Sequence, residues 1–340
     1  DNPHIGAAYR AQTGGTTGAG TRVSIDLDHI AAQAPFTMLA YDAHGVLGVP
    51  TALWYGILPD STGIVAVLYS AHLGNVPRKW FSHIASSELK SSFKYRLATQ
   101  GTVLFGRLFG AWLPYPEPVS LDQAIVVARW AAGALKTDGA CLIRAGVSMA
   151  MRVSLAARKE GPDLTGATIM GGNEPPTPAK VREITRSGAR WVPSYFFTEA
   201  GRVGSGCVRP VAGDDLHFLK DAFALIQYSR KVPGSKISVP AFHFTTLLPT
   251  TPKLMLNVES DDYGTVEARS CGCPLEGYGF TEHLREIRSF SKLTGEGVTL
   301  VGNDMVRILE EVLPQRFGGS ALDYQLQESE DEQGFTRVIL

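Results

Sequence analysis

A glycine- and threonine-rich stretch near the start of the chain is the first candidate for chemistry. It runs from Gln12 to Arg22 and contains four glycines and four threonines. Glycines let the backbone approach a ligand closely, and successive amides beside hydroxyl groups form nests that bind polyphosphates. The spacing differs from the Walker loop, because no lysine follows Gly20, and from the dinucleotide-binding glycine pattern. A flexible surface loop or hairpin is the structural alternative.

Three cysteines and a histidine form the second candidate. Cys271 and Cys273 are separated by one glycine in a predicted turn, and Cys207 and His217 bracket a glycine- and proline-rich loop upstream. Three thiolates and one imidazole would make a closed, four-coordinate Zn²⁺ site, which is structural rather than catalytic. The alternative is a set of reduced buried thiols with a surface histidine. His283 is the substitute ligand if His217 does not take part.

Composition excludes several classes of protein. The chain has 340 residues, 44% of them apolar and 19% charged, which is enough for a large core in one large or two unequal domains. The net charge of −1 gives no basic excess for nucleic acid or an anionic membrane. No apolar run approaches the roughly 20 residues of a membrane helix, and no signal segment is present. We therefore expect a soluble, cytoplasmic protein.

The elements that must position these residues alternate along the first two thirds of the chain. The patterns predict helices over residues 28–41, 121–137, 147–159, 177–187 and 304–313. They predict strands over residues 63–69, 102–108, 140–144, 167–170 and 191–199, and residues 45–57 alternate Gly/Pro breaks with β-branched and aromatic runs. Such alternation favours an α/β domain with a mainly parallel sheet. After Lys220, strands over 222–228, 253–258 and 264–269 predict a more antiparallel subdomain, and 321–328 with 336–340 a hairpin.

The character of the chain changes near residues 293–297. We predict a large domain over residues 1–292, with an incomplete N-terminus, and the truncated start of a small domain over residues 293–340. The glycine-rich stretch comes very early, and residues 337–340 have the pattern of a strand that stops. Both ends therefore look cut, and we expect a fragment.

Five motifs occur in a distinctive order. They are the Gly/Thr stretch at 13–18, Gly171-Gly172-Asn173-Glu174-Pro175, the segment from Tyr195 to Glu199, Asp261-Asp262 after a strand, and a hinge from Arg288 to Gly297. This order resembles the adenylate-forming (AMP-binding) superfamily, and most closely its phenylacetate–coenzyme A ligase-like branch. The resemblance implies an α/β fold: a large multi-sheet N-terminal domain with a β subdomain, followed by the start of a small α+β C-terminal domain.

The resemblance also implies roles for individual residues. The phosphates of ATP would be held by Thr13, Gly14, Gly15, Thr16, Thr17 and Gly18. The adenine would be lined by Gly171, Gly172, Asn173, Glu174 and Tyr195. The catalytic pair would be Thr198, at the α-phosphate, and Glu199, which would bind Mg²⁺, a hard cation that takes oxygen ligands. The ribose would be bound by Asp262, or by Asp261 as its neighbour, and Arg288 would contact the ribose or a phosphate.

Two of these motifs have ordinary structural alternatives. Thr198-Glu199 could be a helix N-cap pair, and residues 261–264 could form a hairpin turn. The sequence also departs from the family pattern. Ala19 and Gly20 replace the expected proline region, no loop lysine is present, and Phe196 stands where a glycine is usual. No counterpart of the lysine that drives adenylation is found.

The reaction that the resemblance implies uses ATP, Mg²⁺ and a small-molecule carboxylic acid. An aryl or apolar acid would be activated as an acyl-adenylate with release of pyrophosphate, then transferred to coenzyme A. Aromatic residues such as Trp54, Tyr55 and Trp80 would line the acid pocket or pack in the core. Two alternatives stay open: transfer to an amine, a carrier protein or a small inorganic nucleophile, and a non-catalytic nucleotide-binding relative. A homodimer is the commoner outcome among soluble homo-oligomers.

Overall fold

The computed structural model describes most of the chain. The described residues are 1–6, 9–12, 22–58, 60–83, 93–232, 236–289, 294–295, 298–299, 307–330 and 336–340. The predicted phosphate-binding residues Thr13, Gly14, Gly15, Thr16, Thr17 and Gly18 lie outside these ranges, as does most of the predicted hinge. Within the described ranges, no helix combines the length and apolar character needed to cross a bilayer.

The helices and strands are numbered in chain order. The α-helices are α1 (Leu27–Ala43), α2 (Thr62–His72), α3 (Phe93–Phe109), α4 (Ala124–Asp138), α5 (Val147–Glu160), α6 (Pro178–Thr185), α7 (Pro274–Gly277) and α8 (Leu313–Phe317), the last preceded by a π-helical segment, Ile308–Val312. The strands are β1 (Tyr9–Gln12), β2 (Arg22–Ile25), β3 (Thr51–Trp54), β4 (Lys79–Ser82), β5 (Pro116–Pro118), β6 (Cys141–Ala145), β7 (Ala167–Gly171), β8 (Arg190–Phe197), β9 (Gly201–Gly206), β10 (Leu216–Phe218), β11 (Phe223–Lys231), β12 (Ser238–Thr246), β13 (Val258–Ala268), β14 (Glu282–Ser289), β15 (Thr294–Gly295), β16 (Val298–Thr299), β17 (Gln327–Glu330) and β18 (Thr336–Ile339).

One mixed sheet dominates the described part of the chain. Its twelve strands follow the order β11-β12-β13-β14-β10-β9-β8-β7-β6-β3-β4-β5. The strands from β8 to β5 pair in parallel, and those from β8 to β11 pair antiparallel. The predicted parallel α/β part and antiparallel subdomain are therefore confirmed as two halves of one sheet that share β8.

The helices that cover the parallel half begin and end at recognisable signals. Ser120 and Gln123 form a capping box before α4, and α4 ends at Gly139, whose φ of +77° suits glycine. Thr177 caps α6, with Pro178 in its first turn. Small apolar side chains of α4 and α5 pack on β3, β6 and β7 to form the largest core cluster. These helices fix the strand ends where the candidate site lies.

Two predicted strands are helices in the structure. Residues 63–69 lie in α2 and residues 102–108 lie in α3. In α2, Ile64 and Val67 are buried in one core cluster while Val65 and Leu68 pack partly against another. Because the helix is covered on more than one side, its sequence is apolar throughout and imitates a buried strand. In α3 the apolar run does not result from burial on several sides, because Leu104 and Leu108 are exposed.

Other boundaries also differ from the predictions. Residues 253–257 form a loop rather than a strand, and β13 begins at Val258. The Lys253 N–H donates to the Glu199 carbonyl, and the Met255 N–H donates to the Thr246 hydroxyl of β12. These backbone groups are therefore not available for strand pairing. The predicted helix at 304–313 is described from Arg307 and continues through Leu313–Phe317, because Pro314 lies in a first turn. The predicted C-terminal hairpin is present, but its first strand is β17, Gln327–Glu330, rather than residues 321–328, which are turn and loop up to residue 326.

Candidate functional site

The Gly-Gly turn after β7 lies against the ends of both neighbouring strands. A side chain at Gly171 would overlap the carbonyl oxygen of Ala145 in β6, and one at Gly172 would overlap the carbonyl oxygen of Ser194 in β8. Asn173 follows with a φ of +70°. Only glycines allow this approach of three backbones. The turn therefore sits at the carboxyl edge of the parallel strands, where open α/β sheets bind ligands.

The Glu174 side chain holds this turn to the start of α5. One carboxylate oxygen accepts from the Ser148 backbone N–H at 3.0 Å, and the other accepts from the Ser148 hydroxyl. The Lys180 ammonium lies 3.4 Å from the second oxygen. The carboxylate thus neutralises the positive end of α5. The adenine-lining roles of Gly171, Gly172, Asn173 and Glu174 stay predictions.

Tyr195 joins the parallel half of the sheet to the antiparallel half. Its hydroxyl donates to Oδ2 of Asp262 at 2.5 Å. Burial raises the pKa of Tyr195 well above its usual value, and the charge of Asp262 adds to this effect. The phenol therefore stays protonated and acts as the donor. Two residues that are distant in sequence meet here, as the predicted nucleotide site requires.

The structure distinguishes between the two aspartates. Asp261 is exposed, whereas Asp262 is half-buried and contacts Tyr195. Both lie inside β13, so the hairpin-turn alternative for residues 261–264 is wrong. Successive side chains of a strand point to opposite faces, and only that of Asp262 faces Tyr195. Asp262 is therefore the better candidate for the ribose.

Arg288 lies in β14, next to Ser289, the residue that pairs with Asp262 of β13. It is paired with Tyr263 in the β13–β14 register. Its Nη1 donates to the neighbouring Ile287 carbonyl at 2.8 Å, while its Nε is buried without a hydrogen-bond partner among the described residues. A buried donor without a partner is costly unless a ligand satisfies it. The position of this donor near Asp262 fits a sugar or phosphate oxygen.

Thr198 and Glu199 form the turn between β8 and β9. The Ala200 N–H donates to the Phe197 carbonyl at 3.4 Å, and the chain then enters β9. The helix N-cap alternative for this pair is therefore wrong. Glu199 is half-buried, and its carboxylate forms no ion pair with any cation in the described ranges. A partly shielded carboxylate of this kind is a suitable oxygen ligand for Mg²⁺.

A buried glutamine that the sequence reasoning missed supports this turn. The Gln33 amide of α1 donates to the Ala200 carbonyl at 3.4 Å, and its oxygen accepts from the Arg202 N–H at 3.1 Å. One side chain thus satisfies backbone groups on both sides of Gly201. The available signal was a glutamine on the apolar face of a predicted helix, because buried polar groups are normally hydrogen-bonded.

His29, one turn before Gln33, predicts a pH dependence of stability. Burial lowers its pKa to about 4. The unfolded chain binds a proton near pH 6.5 and the folded chain does not, so stability falls as the pH drops from 6.5 toward 4, by up to about 3 kcal/mol. The free energy of unfolding, measured with urea, should therefore decrease less over this pH range for the His29→Gln variant than for the wild type. Parallel curves for the two proteins would contradict the buried neutral state of His29.

The four predicted metal ligands converge. The Sγ atoms of Cys207, Cys271 and Cys273 and a ring nitrogen of His217 all lie within 4.8 Å of one another. Nε2 of His217 lies 3.7 Å from Sγ of Cys271 and 3.3 Å from Sγ of Cys273. Ligand atoms around tetrahedral zinc are separated by about 3.3–3.8 Å. Nδ1 of His217 is 2.6 Å from the Phe280 carbonyl, a hydrogen bond that orients the ring so that its other nitrogen points at the thiols, as is usual for histidines that bind zinc.

A second buried group lies beside these ligands. Nδ1 of His283 is 2.7 Å from Oδ1 of Asp215, whose other oxygen accepts from Arg269 at 2.5 Å. Asp215 and His283 also lie within 4.8 Å of Cys207. His283 is thus close enough to remain the substitute ligand, but Asp215 already engages it. Sequence reasoning missed Asp215 and Arg269, although Asp215 lies in the loop that Cys207 and His217 bracket.

Comparison with known proteins identifies the fold. No family model and no curated protein matches the chain. Among solved structures, 2-hydroxyisobutyryl-CoA ligase in complex with 2-HIB-AMP superposes with a TM-score of 0.61 at 14% identity, covering 99% of this chain and 63% of that one. Anthranilate CoA ligase AuaEII in complex with anthranoyl-AMP gives 0.53 at 10% identity, covering 88% and 51%. McyG A-PCP complexed with phenylalanyl-adenylate gives 0.50 at 10% identity, covering 98% and 56%.

These similarities confirm the predicted fold. The chain has the α/β architecture of the adenylate-forming ligases across nearly all its length. It spans about 63% of the length of the first of these structures.

Proposed function

We propose that this chain, which has the fold of the adenylate-forming ligases, activates a carboxylic acid with ATP. The acid's carboxylate oxygen would attack the α-phosphorus, the bond to the β-phosphate would break, and pyrophosphate would leave. The observation that carries the proposal is the contact between Tyr195 and Asp262. It brings the predicted base- and ribose-binding residues together at the edge where the Gly171 turn and the Glu199 turn also end.

The residues present fit a nucleotide with its metal ion. Asp262 would accept hydrogen bonds from the ribose hydroxyls, with Tyr195 beside the base, and the unsatisfied Nε of Arg288 would contact the sugar or a phosphate. Thr198 would donate to the α-phosphate, and Glu199 would hold Mg²⁺, which neutralises charge on the phosphates. Residues 13–18 would bind the β- and γ-phosphates, although they lie outside the described ranges.

Pyrophosphate release in the presence of ATP, Mg²⁺ and a panel of carboxylic acids tests this proposal. We propose aryl or apolar acids as the substrates and coenzyme A as the acceptor. Omitting coenzyme A distinguishes the acceptors, because product that still forms with an amine, a carrier protein or an inorganic nucleophile identifies a different second step. Nucleotide binding without pyrophosphate release for any acid would leave only the non-catalytic alternative.

The proposal retains the predicted domain boundary between residues 292 and 293. Rotation of a small domain would let one site serve both half-reactions. The described residues after 307 contact α6 through ion pairs, with Lys180–Glu310 at 3.1 Å and Arg182–Glu311 at 3.3 Å. Ala321 and Leu322 also pack against the largest core cluster, so the proposed rotation would have to separate apolar contacts as well as ion pairs.

The cysteine cluster is proposed as a structural zinc site. The donor set of three thiols and one oriented imidazole fits tetrahedral Zn²⁺ and leaves no open position for chemistry. A zinc ion at this site would join the loop after β9 to the turn before α7, through the ligands Cys207, His217, Cys271 and Cys273. The expected contribution is to the stability of the antiparallel half.

Asp262 provides a direct test of nucleotide binding. Asp262→Asn removes the charge that would accept the ribose hydroxyls, and hydrogen bonds to charged groups contribute about 1.5–3 kcal/mol. We therefore expect the KM for ATP to rise about 10- to 100-fold. Asp261→Asn on the exposed side of the same strand is the matched control and should change it less than about twofold. Equal effects of the two substitutions would contradict the assignment of the ribose to Asp262.

A further inference from the structure

Two arginines project from the sheet into the protein interior. Arg144 lies in β6 and Arg202 in β9. Arg202 is buried, and Nη1 of Arg144 is buried without a hydrogen-bond partner. The electrostatic neighbours of both are the same three tyrosines, Tyr41 of α1, Tyr69 of α2 and Tyr55 after β3. The two guanidinium groups therefore share one region between the sheet and helices α1 and α2.

No counter-ion accompanies these two charges. Among the described residues, no Asp or Glu forms an ion pair with Arg144 or Arg202. Burial raises the pKa of Tyr55 and of Tyr69, so both hydroxyls stay protonated and can donate hydrogen bonds. Buried charges are normally paired, because an unpaired one carries a large desolvation penalty. Two like charges together increase this penalty.

The pKa of Arg202 reflects this desolvation penalty. Burial lowers the pKa of Arg202, and the neighbouring charge of Arg144 lowers it further. Burial also disfavours the charge of Arg144, but Tyr41, Tyr55 and Tyr69 offset this and raise its pKa, Tyr41 in part through a contact between its hydroxyl and the guanidinium. A buried guanidinium nitrogen without a hydrogen-bond partner, Nη1 of Arg144, beside a second buried arginine and three phenol groups is an arrangement that an anion would satisfy. Planar guanidinium groups are well suited to carboxylates, which they can bind with two parallel hydrogen bonds.

This region adjoins both turns of the proposed active site. Arg144 stands two residues before Gly146, whose Cα faces the Glu174 carboxylate and the Gly172 carbonyl. Arg202 follows Gly201 directly, at the end of the turn that carries Glu199. A molecule bound between the arginines would therefore extend toward the strand ends where the acid is proposed to react.

We propose that Arg144 and Arg202, with the hydroxyls of Tyr41, Tyr55 and Tyr69, bind a second anionic group of the acid substrate. The inference rests on the proposed function and refines it: the substrate is a dicarboxylate with an aryl or apolar body. One carboxylate reacts with ATP near Glu199, and the other stays ionised against the arginines. The tyrosine rings contact the body of the molecule between them.

Matched pairs of acids test the inference in the wild-type protein. Benzoate and terephthalate, and hexanoate and adipate, differ by one carboxylate on the same skeleton. By calorimetry without ATP, each dicarboxylate should bind at least tenfold more tightly than its monocarboxylate partner. With ATP and Mg²⁺, kcat/KM for pyrophosphate release should show the same preference. Equal binding within each pair, or preference for the monocarboxylate, would overturn the inference.

Variants assign the preference to the arginines. Arg202→Gln and Arg144→Gln should each lose at least tenfold of the dicarboxylate preference and leave monocarboxylate binding within about twofold. Arg129→Gln, at an exposed arginine, is the control and should keep the preference. Without ligand, Arg202→Gln should melt no lower than the wild type, because an uncompensated buried charge has been removed. A large drop in its melting temperature would identify a purely structural arginine.

Two further results separate this inference from its premise. Arginine-dependent dicarboxylate binding without pyrophosphate release from any acid would support the anion site and refute the adenylation proposal. Pyrophosphate release from monocarboxylates alone would support adenylation and refute the dicarboxylate site. Inorganic phosphate or AMP serves as a third probe. If either binds in an arginine-dependent manner while dicarboxylates do not, the cluster serves the nucleotide, and the inference is wrong.

Discussion

We expect the replacement of Glu199 by glutamine to lower kcat for the proposed release of pyrophosphate by about 100- to 1,000-fold, the loss typical when one group that stabilises transition-state charge is removed. Glutamine keeps the size and a hydrogen-bonding oxygen of the side chain but loses the negative charge that would bind Mg²⁺. The carboxylate is half-buried and free of ion pairs within the described part of the chain, so no neighbouring cation supplies another reason for its charge.

A matched substitution controls for nonspecific loss. Glu160→Gln changes an exposed carboxylate that pairs with Arg129 on the surface, and it should leave kcat within about twofold because exposed ion pairs contribute little. Raising the Mg²⁺ concentration should partly restore Glu199→Gln if the lost interaction is with the metal ion. Wild-type kcat in Glu199→Gln would refute the metal-binding role of this residue.

Substitution of Cys273 by serine should remove bound zinc and destabilise the antiparallel half. Cys273 is buried, accepts from the Leu275 N–H at the start of α7, and contacts His217. Zinc binding by thiolate-rich structural sites is worth on the order of 10 kcal/mol, so loss of one ligand should reduce the free energy of unfolding by several kcal/mol. The measurements are zinc content per chain by atomic emission and chemical unfolding with and without a chelator.

The protonation states of the thiols give this prediction a pH dependence. Burial raises the pKa of Cys207 to about 12, so without metal the thiol holds its proton at neutral pH. Zinc binding must displace this proton, and the apparent zinc affinity should therefore increase with pH. Cys141→Ala, at the buried cysteine of β6 outside the cluster, is the control and should keep full zinc content. A wild-type protein without zinc would favour the reduced-thiol alternative.

The chain order of chemical motifs could be predicted because each motif is local. Gly171-Gly172 requires close backbone approach, and the Cys271-Gly272-Cys273 turn presents two sulfurs within three residues. Helix signals such as Ser120 and Gly139 act within one turn of the chain. The alternation of helices with buried strands also predicted the part of the parallel half from β6 to β8, because its connections are short and its pattern repeats.

Other structural features could not be predicted from the sequence, because the burial of a residue depends on distant parts of the chain. The segment in α2 is apolar throughout, as a buried strand is, and only its packing between two clusters reveals a helix. The importance of Gln33 likewise depends on which backbone groups α1 approaches. A residue type restricts what a side chain can do, but the neighbours of that side chain depend on the packing of the whole sheet.

By itself, the sequence determined which residue types could do chemistry and their order along the chain: a glycine- and threonine-rich stretch, the carboxylates of Glu199, Asp261 and Asp262, and a set of three cysteines with a histidine. Only the tertiary structure decided between Asp261 and Asp262, because alternation along β13 points one of them at Tyr195. Only the tertiary structure placed Arg144 near Arg202, since β6 and β9 are brought into one sheet by strand order. Strand order depends on long-range pairing, whose energy comes from contacts between residues far apart in the chain, and no local pattern encodes it.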